Sequence, residues 1–195
     1  MRVFLAGASG AIGRQLVPQL VAAGHEVAGT TRSEEKAGKL RGLGAEPVVL
    51  DVYDAEALRE AVVAFAPELV MHQLTDLPPD PAEIPAKAAD NARVRSEGTR
   101  NLIAAAQAAA APRFHAQSIA WRLPGDAHAS VEEHEAMVLD AGGVVLRYGR
   151  FYGPGTYNPE AGDLPEPPRI HVAEAARRTV ELLEAPSGIV EIADS

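Results

Sequence analysis

The sequence predicts an α/β fold in which a doubly wound parallel sheet lies between two layers of helices. Short apolar segments alternate with segments of helical periodicity along the 195 residues, and in this order each crossover places its helix on a face of the sheet. The apolar segments are nearly continuous, as strands covered on both faces require. Several glycines follow the first strand, where the chain must turn tightly into a helix.

The first strand and the first helix have clear local signals. The apolar run 3–6 ends in glycine, which is typical of a buried strand. Residues 11–23 carry apolar side chains near helical spacing, and Gly24 stands where a helix stop belongs. A second strand is predicted at 25–30.

Two capped helices come next. Ser33 and Asp54 directly precede the helical segments 34–43 and 55–66. Short polar side chains at such positions accept hydrogen bonds from the free amides of the first turn. The strands that follow these helices are predicted at 47–50 and 69–72.

The second half of the chain combines longer helices with an irregular segment. Prolines between 78 and 85 mark a loop, and an alanine-rich helix is predicted at 87–110. Residues 148–169 are rich in glycine and proline and are predicted to be irregular. The remaining elements are strands at 113–118, 144–147 and 188–192 and helices at 130–141 and 170–184.

Composition restricts the classes of partner. The formal net charge is −9, so the chain repels phosphate backbones and anionic lipid, and we expect neither nucleic acid nor a membrane as a partner. There is no cysteine, which excludes disulfides, thiolate metal sites and cysteine nucleophiles. The first apolar run is too short for a signal peptide, so a cytoplasmic protein is expected.

The glycine turn predicts a phosphate-binding site. Gly7, Gly10 and Gly13 lie between the first strand and the first helix, where a phosphate must approach the backbone without a Cβ in its way. The helix directs its free N–H groups and positive dipole end at the same point, and Ser9 could add a hydroxyl. Strand, turn and helix together predict a Rossmann-type nicotinamide dinucleotide site. The alternative is a turn needed only for packing.

The motif G-A-S-G-A-I-G at 7–13 resembles the GxxGxxG start of extended and atypical short-chain dehydrogenase/reductases, which include the NAD-dependent epimerases/dehydratases. The resemblance implies their Rossmann fold and a nicotinamide cofactor, with 50–52 near the adenine ring. Further similar segments are Asn91 with 98–102, 145–155 and 170–176. The expected cofactor contacts are Gly7, Ser9, Gly10, Ala11, Ile12, Gly13, Arg32, Asp51, Val52, His72, Gln73, Leu74 and Asn91.

The end of the second strand favours NADP over NAD. A carboxylate at this position holds a ribose 2′-hydroxyl, whereas an arginine accommodates a 2′-phosphate. Here the sequence is T-T-R-S at 30–33, with Arg32 and no acid. A guanidinium binds phosphate in bidentate fashion. If Arg32 is instead only a solvated surface charge, NAD stays the alternative.

The resemblance also exposes a catalytic gap. Oxidoreductases of this family pair a Ser or Thr after the fifth strand with Tyr-x-x-x-Lys on the next helix. Ser118 stands in the first of these places, but the helix that follows contains neither Tyr nor Lys. Three substitutes are conceivable as acid or base: His134, Tyr152 and Glu135. The alternative is that none of them takes part in catalysis. His134 and Glu135 would then be solvated residues on the surface of a helix, and Tyr152 would be a packed aromatic residue. His134 and Glu135 do not form a zinc motif, and no metal site is predicted.

Two functions remain open. The first is an oxidoreductase or epimerase-like enzyme that acts on a small carbonyl or sugar-like substrate, with Ser118 polarising its oxygen. The second is a catalytically inactive redox sensor or regulator that binds NADP(H). We expect a dinucleotide-binding domain at 1–150 and a reduced C-terminal substrate lobe at 151–195 packed on it. So small a lobe leaves either a shallow pocket or one completed by a second copy in a homodimer.

Overall fold

The computed structural model describes residues 1–159 and 164–194, and it confirms the doubly wound α/β fold. A seven-stranded sheet has the order β3-β2-β1-β4-β5-β6-β9, and its neighbouring strands are all parallel. A second, two-stranded sheet pairs β7 with β8. The strands are β1 (Arg2–Ala6), β2 (Glu26–Thr31), β3 (Glu46–Val49), β4 (Leu69–His72), β5 (Arg113–Ile119), β6 (Val144–Tyr148), β7 (Arg150–Tyr152), β8 (Arg169–His171) and β9 (Gly188–Ile192).

Helices cover both faces of the large sheet. Neighbouring residues of a strand point to opposite faces, so Leu5 belongs to one apolar core and Phe4 to the other. The first core includes side chains of α1, α2 and α7, and the second includes side chains of α3, α5 and α6. The helices are α1 (Gly13–Ala22), α2 (Glu34–Gly42), α3 (Ala55–Phe65), α4 (Ala88–Arg93), α5 (Thr99–Ala108), α6 (Ala129–Asp140) and α7 (Val172–Glu181).

The direction of winding reverses at β1. The chain proceeds from β1 to β2 and β3 on one side, and then returns to place β4 on the other side of β1. Open α/β sheets bind ligands at such a switch point, in the crevice at the carboxyl ends of the strands. In this chain the glycine turn lies at the carboxyl end of β1.

Both predicted helix caps are confirmed. Ser33 Oγ accepts a hydrogen bond from the Lys36 amide, and Asp54 Oδ1 accepts one from the Ala57 amide. Removal of such a cap typically costs about 1 kcal/mol. These caps fix where the chain leaves the carboxyl ends of β2 and β3.

The long helix predicted at 87–110 is confirmed from Ala88 to Ala108, but it is not a uniform α-helix. The structure divides it into α4, a π-helical turn at Val94–Gly98 and α5. A π turn carries one residue more than an α turn and redirects the side chains around it, and such turns are frequent at functional sites. Alanine content predicts helix here but contains no signal for the extra residue.

Two predictions between 148 and 184 are wrong in part. The segment 148–169 was expected to be irregular, but it includes Tyr148 at the end of β6, all of β7 and the start of β8. The helix expected from 170 begins at Val172, because Ile170 pairs with Phe151 and is fully buried. Three-residue strands that pair across a long loop leave no local periodicity to read. Strand β9 adds residues from beyond position 150 to the large sheet.

Within the two described ranges, no helix is both long enough and apolar enough to cross a membrane.

Candidate functional site

A cavity of about 920 Å³ lies at the carboxyl ends of the strands. It extends from the end of β2, past the glycine turn, to the ends of β5 and β6. Twelve of the predicted site residues line it: Gly7, Ser9, Gly10, Ala11, Ile12, Arg32, Asp51, Val52, Gln73, Leu74, Asn91 and Ser118.

The glycine turn is packed too tightly for side chains. Gly7 has a φ of +91°, and a Cβ there would stand 2.7 Å from the Gln73 carbonyl oxygen. A Cβ on Gly13 would overlap the Gly7 carbonyl oxygen. The absence of a side chain at Gly13 therefore lets the start of α1 pack directly against the backbone of the turn. Gly13 is not itself among the residues that line the cavity. The Gly7 amide donates to Thr30 Oγ1 at 3.1 Å, which ties the turn to β2.

The start of α1 leaves hydrogen-bond donors free. The Gly10 amide donates to the Gly7 carbonyl. Among residues 1–159 and 164–194, however, neither the Ala11 nor the Ile12 amide has an acceptor. Unpaired amides at the positive end of a helix are a binding site for an anion. The cradle is shaped by glycine and equipped with donors, so these residues fit a dinucleotide pyrophosphate.

The end of the cavity beside β2 carries two cations and an acid. Arg32 Nη2 lies 3.1 Å from Asp76 Oδ1, with 63% of the arginine side chain exposed. Lys36, in the first turn of α2, lines the same end of the cavity.

His72 lies behind the cavity wall, although we predicted it as a cofactor contact. It is 1% exposed, and Nε2 is 3.1 Å from Thr99 Oγ1. Thr99 Oγ1 is in turn 2.8 Å from His134 Nδ1, and His134 Nε2 lies 2.9 Å from the Gln117 carbonyl. Burial lowers the pKa of both histidines, so this chain of hydrogen bonds is neutral at physiological pH and joins β4, α5, α6 and β5.

The expectation that His134 and Glu135 are solvated is wrong. His134 is 2% and Glu135 6% exposed. Both share a helical face with Val131 and Val138, which are also buried. The spacing i, i+3, i+4, i+7 is that of a buried stripe, so the apolar valines already carried the signal.

Ser118 is engaged by a charged group. Its hydroxyl donates to Glu135 Oε1 at 2.5 Å, and Arg147 donates to both oxygens of the same carboxylate, at 2.9 and 2.5 Å. Burial alone would raise the pKa of Glu135, but the hydrogen bonds from Arg147 and Ser118 outweigh it and lower that pKa. Glu135 is therefore ionised at neutral pH, and Ser118 presents a lone pair, not its proton, to the cavity.

Neither of the other candidates, Tyr152 and His134, forms a hydrogen bond with the Ser118 hydroxyl among the described residues. Tyr152 packs its ring edge-on against His171, with centroids 5.3 Å apart, and neither Tyr152 nor His134 is among the residues that line the cavity. Gln73 Nε2 donates to the hydroxyl of Tyr148, a buried residue whose pKa burial raises to about 12.

Sequence reasoning missed Arg95 and Trp121, which both line the cavity. For Arg95 a signal existed, because no acidic residue stands three or four positions away to pair with it along a helix. For Trp121 the loop that follows β5 gave no such signal.

Fold, glycine turn and cavity together define a dinucleotide-binding protein of the Rossmann type, and comparison with known proteins agrees. The family model described as NAD(P)H-binding matches residues 7–141. The chain belongs to this NAD(P)H-binding family, and its resemblance to the short-chain dehydrogenase/reductases is confirmed.

Curated relatives include two reductases. A 3-diazoavenalumate denitrifying reductase from a Streptomyces species is 38% identical over an alignment of 180 positions that covers 80% of this chain and 58% of that protein. A 4-hydroxy-2-methyl-3-oxo-4-farnesyl-3,4-dihydroquinoline-1-oxide ketoreductase from Stigmatella aurantiaca is 34% identical over 119 residues, 58% of this chain and 32% of that one. The chain thus spans less than two thirds of either relative.

Solved structures with the same fold include NAD-dependent sugar epimerases. UDP-glucose 4-epimerase from Thermus thermophilus, in complex with NAD, has a TM-score of 0.78 and 21% identity. The match covers 99% of this chain and 78% of the epimerase. This similarity establishes the fold of the chain and does not identify a substrate.

Proposed function

We propose that this chain is a reductase that binds NADPH in preference to NADH and delivers hydride to a small acceptor. The observation that carries the proposal is the glycine cradle with free amides at the start of α1, at one end of a cavity that reaches Ser118. A bound reduced nicotinamide would supply the hydride. The similarity to two reductases supports reduction over epimerisation.

The proposed preference for NADPH rests on the end of the cavity beside β2, where the adenosine of the nucleotide would bind. Arg32 and Lys36 line it, and α2 begins there. A 2′-phosphate needs cations and free amides, whereas a 2′-hydroxyl would need an acceptor at the strand end. Glu34 and Glu35 oppose a phosphate in part, so we expect a moderate preference, of about tenfold.

The acceptor must be reducible without a tyrosine acid. Ser118 already donates its proton to Glu135, so it can polarise a carbonyl oxygen only after this hydrogen bond rearranges. One class of acceptor avoids that requirement. Hydride adds to the terminal nitrogen of an aryl diazonium cation without prior protonation, and the resulting diazene loses N₂ as its C–N bond breaks and its hydrogen passes to the carbon. The diazo compound named for the Streptomyces relative makes this class the first to test beside small carbonyl and sugar-like compounds.

A nucleotide-binding sensor without turnover is the second candidate. The specific observation in its favour is again the engaged hydroxyl of Ser118, together with a helix α6 that has neither Tyr nor Lys. Binding without oxidation of NADPH by any acceptor would support this candidate.

The decisive experiment has two stages. Thermal shift with NADPH, with NADH and without nucleotide measures binding and preference, and loss of 340 nm absorbance then measures oxidation across aldehydes, ketones, quinones and aryl diazonium salts. Failure of both nucleotides to stabilise the protein would refute the proposal. A cytoplasmic location and a homodimer stay predictions, and size-exclusion chromatography tests the dimer.

A further inference from the structure

Arg95 is a cation in the lining of the cavity, and no residue within 1–159 and 164–194 pairs with it. It lies in the π-helical turn at Val94–Gly98, lines the cavity and is partly buried. Within residues 1–159 and 164–194, its guanidinium donates no hydrogen bond and makes no ion pair, although its own carbonyl lies 3.3 Å from His134 Nδ1.

Three other arginines of the region, by contrast, are engaged by protein groups. Arg93 forms two hydrogen bonds with Glu97, and Arg147 does the same with Glu135. Arg150 lines the cavity too, but it donates to the carbonyls of the 166–167 segment and lies 4.7 Å over the Trp121 ring. Arg95 is thus the cavity-lining guanidinium of the described residues that no hydrogen bond holds in place.

Such an arrangement is unfavourable for folding by itself. A partly buried charge loses hydration, and protein groups usually restore the loss by pairing with it. Burial lowers the pKa of Arg95, and Glu135 offsets that effect only in part without touching the guanidinium. A side chain in this position, with no partner in the described part of the chain, is available to an anion that enters the cavity.

We propose that Arg95 binds the carboxylate of an anionic substrate within the cavity that Ser118 and Arg32 also line. This assignment rests on the proposed function and names the class of its substrate. A planar fork of donors matches a carboxylate in bidentate fashion. The apolar Leu74, Val94 and Trp121 in the same wall suit a flat organic body attached to that carboxylate. A single cation balances a single negative charge, which favours a carboxylate over a doubly charged phosphate.

Fluorescence of Trp121 tests the proposal directly, because it is the only tryptophan of the chain and lines the same cavity. Benzoate and its neutral counterpart benzamide are titrated into the full chain without nucleotide. We expect wild type to bind benzoate more tightly than benzamide, and Arg95→Gln to weaken benzoate by about tenfold or more with benzamide unchanged. Arg95→Lys should keep part of the preference. The matched control is Arg100→Gln, which removes an exposed guanidinium from α5.

Each outcome decides the matter. Equal affinity of wild type for benzoate and benzamide, or equal benzoate affinity in wild type and Arg95→Gln, would overturn the assignment. So would a loss of NADPH affinity in Arg95→Gln as large as the loss for benzoate, since Arg95 would then serve the nucleotide phosphates. Because the benzoate titration needs no nucleotide, failure of NADPH binding would refute the reductase proposal separately.

Discussion

Arg32 and Asp76 form an ion pair across the crevice at the switch point of the sheet. Arg32 follows β2, Asp76 follows β4, and β1 with its glycine turn lies between these strands. Both side chains are partly exposed, and exposed pairs of this kind contribute about 0–1 kcal/mol. The pair therefore holds Arg32 over the crevice weakly enough for a nucleotide phosphate to compete with Asp76 for it.

The first prediction concerns this pair. Arg32→Ala should weaken NADPH by about tenfold and leave NADH within about twofold, because only the 2′-phosphate loses a charged partner. Asp76→Asn should strengthen NADPH, since Arg32 is released. Calorimetric titration measures both, with Arg41→Ala on the exposed part of α2 as the control for net charge. Equal affinities of wild type for the two nucleotides would remove Arg32 from the site.

The second prediction concerns the glycine turn. Gly7→Ala places a Cβ 2.7 Å from the Gln73 carbonyl at a φ of +91°, whereas Gly24→Ala adds a Cβ at +82° with nothing within 4 Å. Both variants strain the backbone, by roughly 1–3 kcal/mol. Only Gly7→Ala should also abolish nucleotide binding, because it displaces the turn. Unfolding in urea and NADPH titration separate the two effects, and full NADPH affinity in Gly7→Ala would contradict the assigned cradle.

The third prediction concerns Ser118. If its oxygen contacts the reacting atoms, Ser118→Ala should lower kcat by about 100-fold at unchanged NADPH affinity. Ser130→Ala, which loses a hydroxyl bound only to the Ala127 carbonyl, is the control. A variant with lower stability but normal kcat would show that Ser118 only positions Glu135. Tyr152→Phe makes the same measurement for Tyr152, and an equal loss there would move the acid to that residue.

The fourth prediction concerns His115 and pH. This residue is 1% exposed, both ring nitrogens lack partners among the described residues, and burial together with Arg113 lowers its pKa to about 4. The unfolded state, with a pKa near 6.5, binds the proton first as pH falls. The folded state should therefore lose roughly 3 kcal/mol between about pH 6.5 and 4 from this group.

His115→Leu tests the assignment by urea unfolding at a series of pH values. The variant should be at least as stable as wild type at pH 7 and should lose less stability on acidification. His72 and His134 are also buried with lowered pKa values, so part of the slope will remain. An unchanged slope in His115→Leu would place the acid sensitivity elsewhere.

Local signals account for what the sequence predicted well. Ser33 and Asp54 act on amides three residues away, and the glycine turn depends on its own backbone and the strand before it. The burial of His134 and Glu135 in α6 was not predicted, although the apolar Val131 and Val138 mark the buried face of that helix. Here the periodic pattern was present, and the polarity of His134 and Glu135 outweighed it.

The sequence by itself determined the alternation of strands and helices, the glycine cradle and the class of ligand it holds, because each depends on contacts within a few residues. Only the tertiary structure decided that Ser118, Glu135 and Arg147 meet, that Ile170 lies in a strand, and that Arg95 lines the cavity. These relations depend on strand order and on a π turn, which bring together residues that no local periodicity connects.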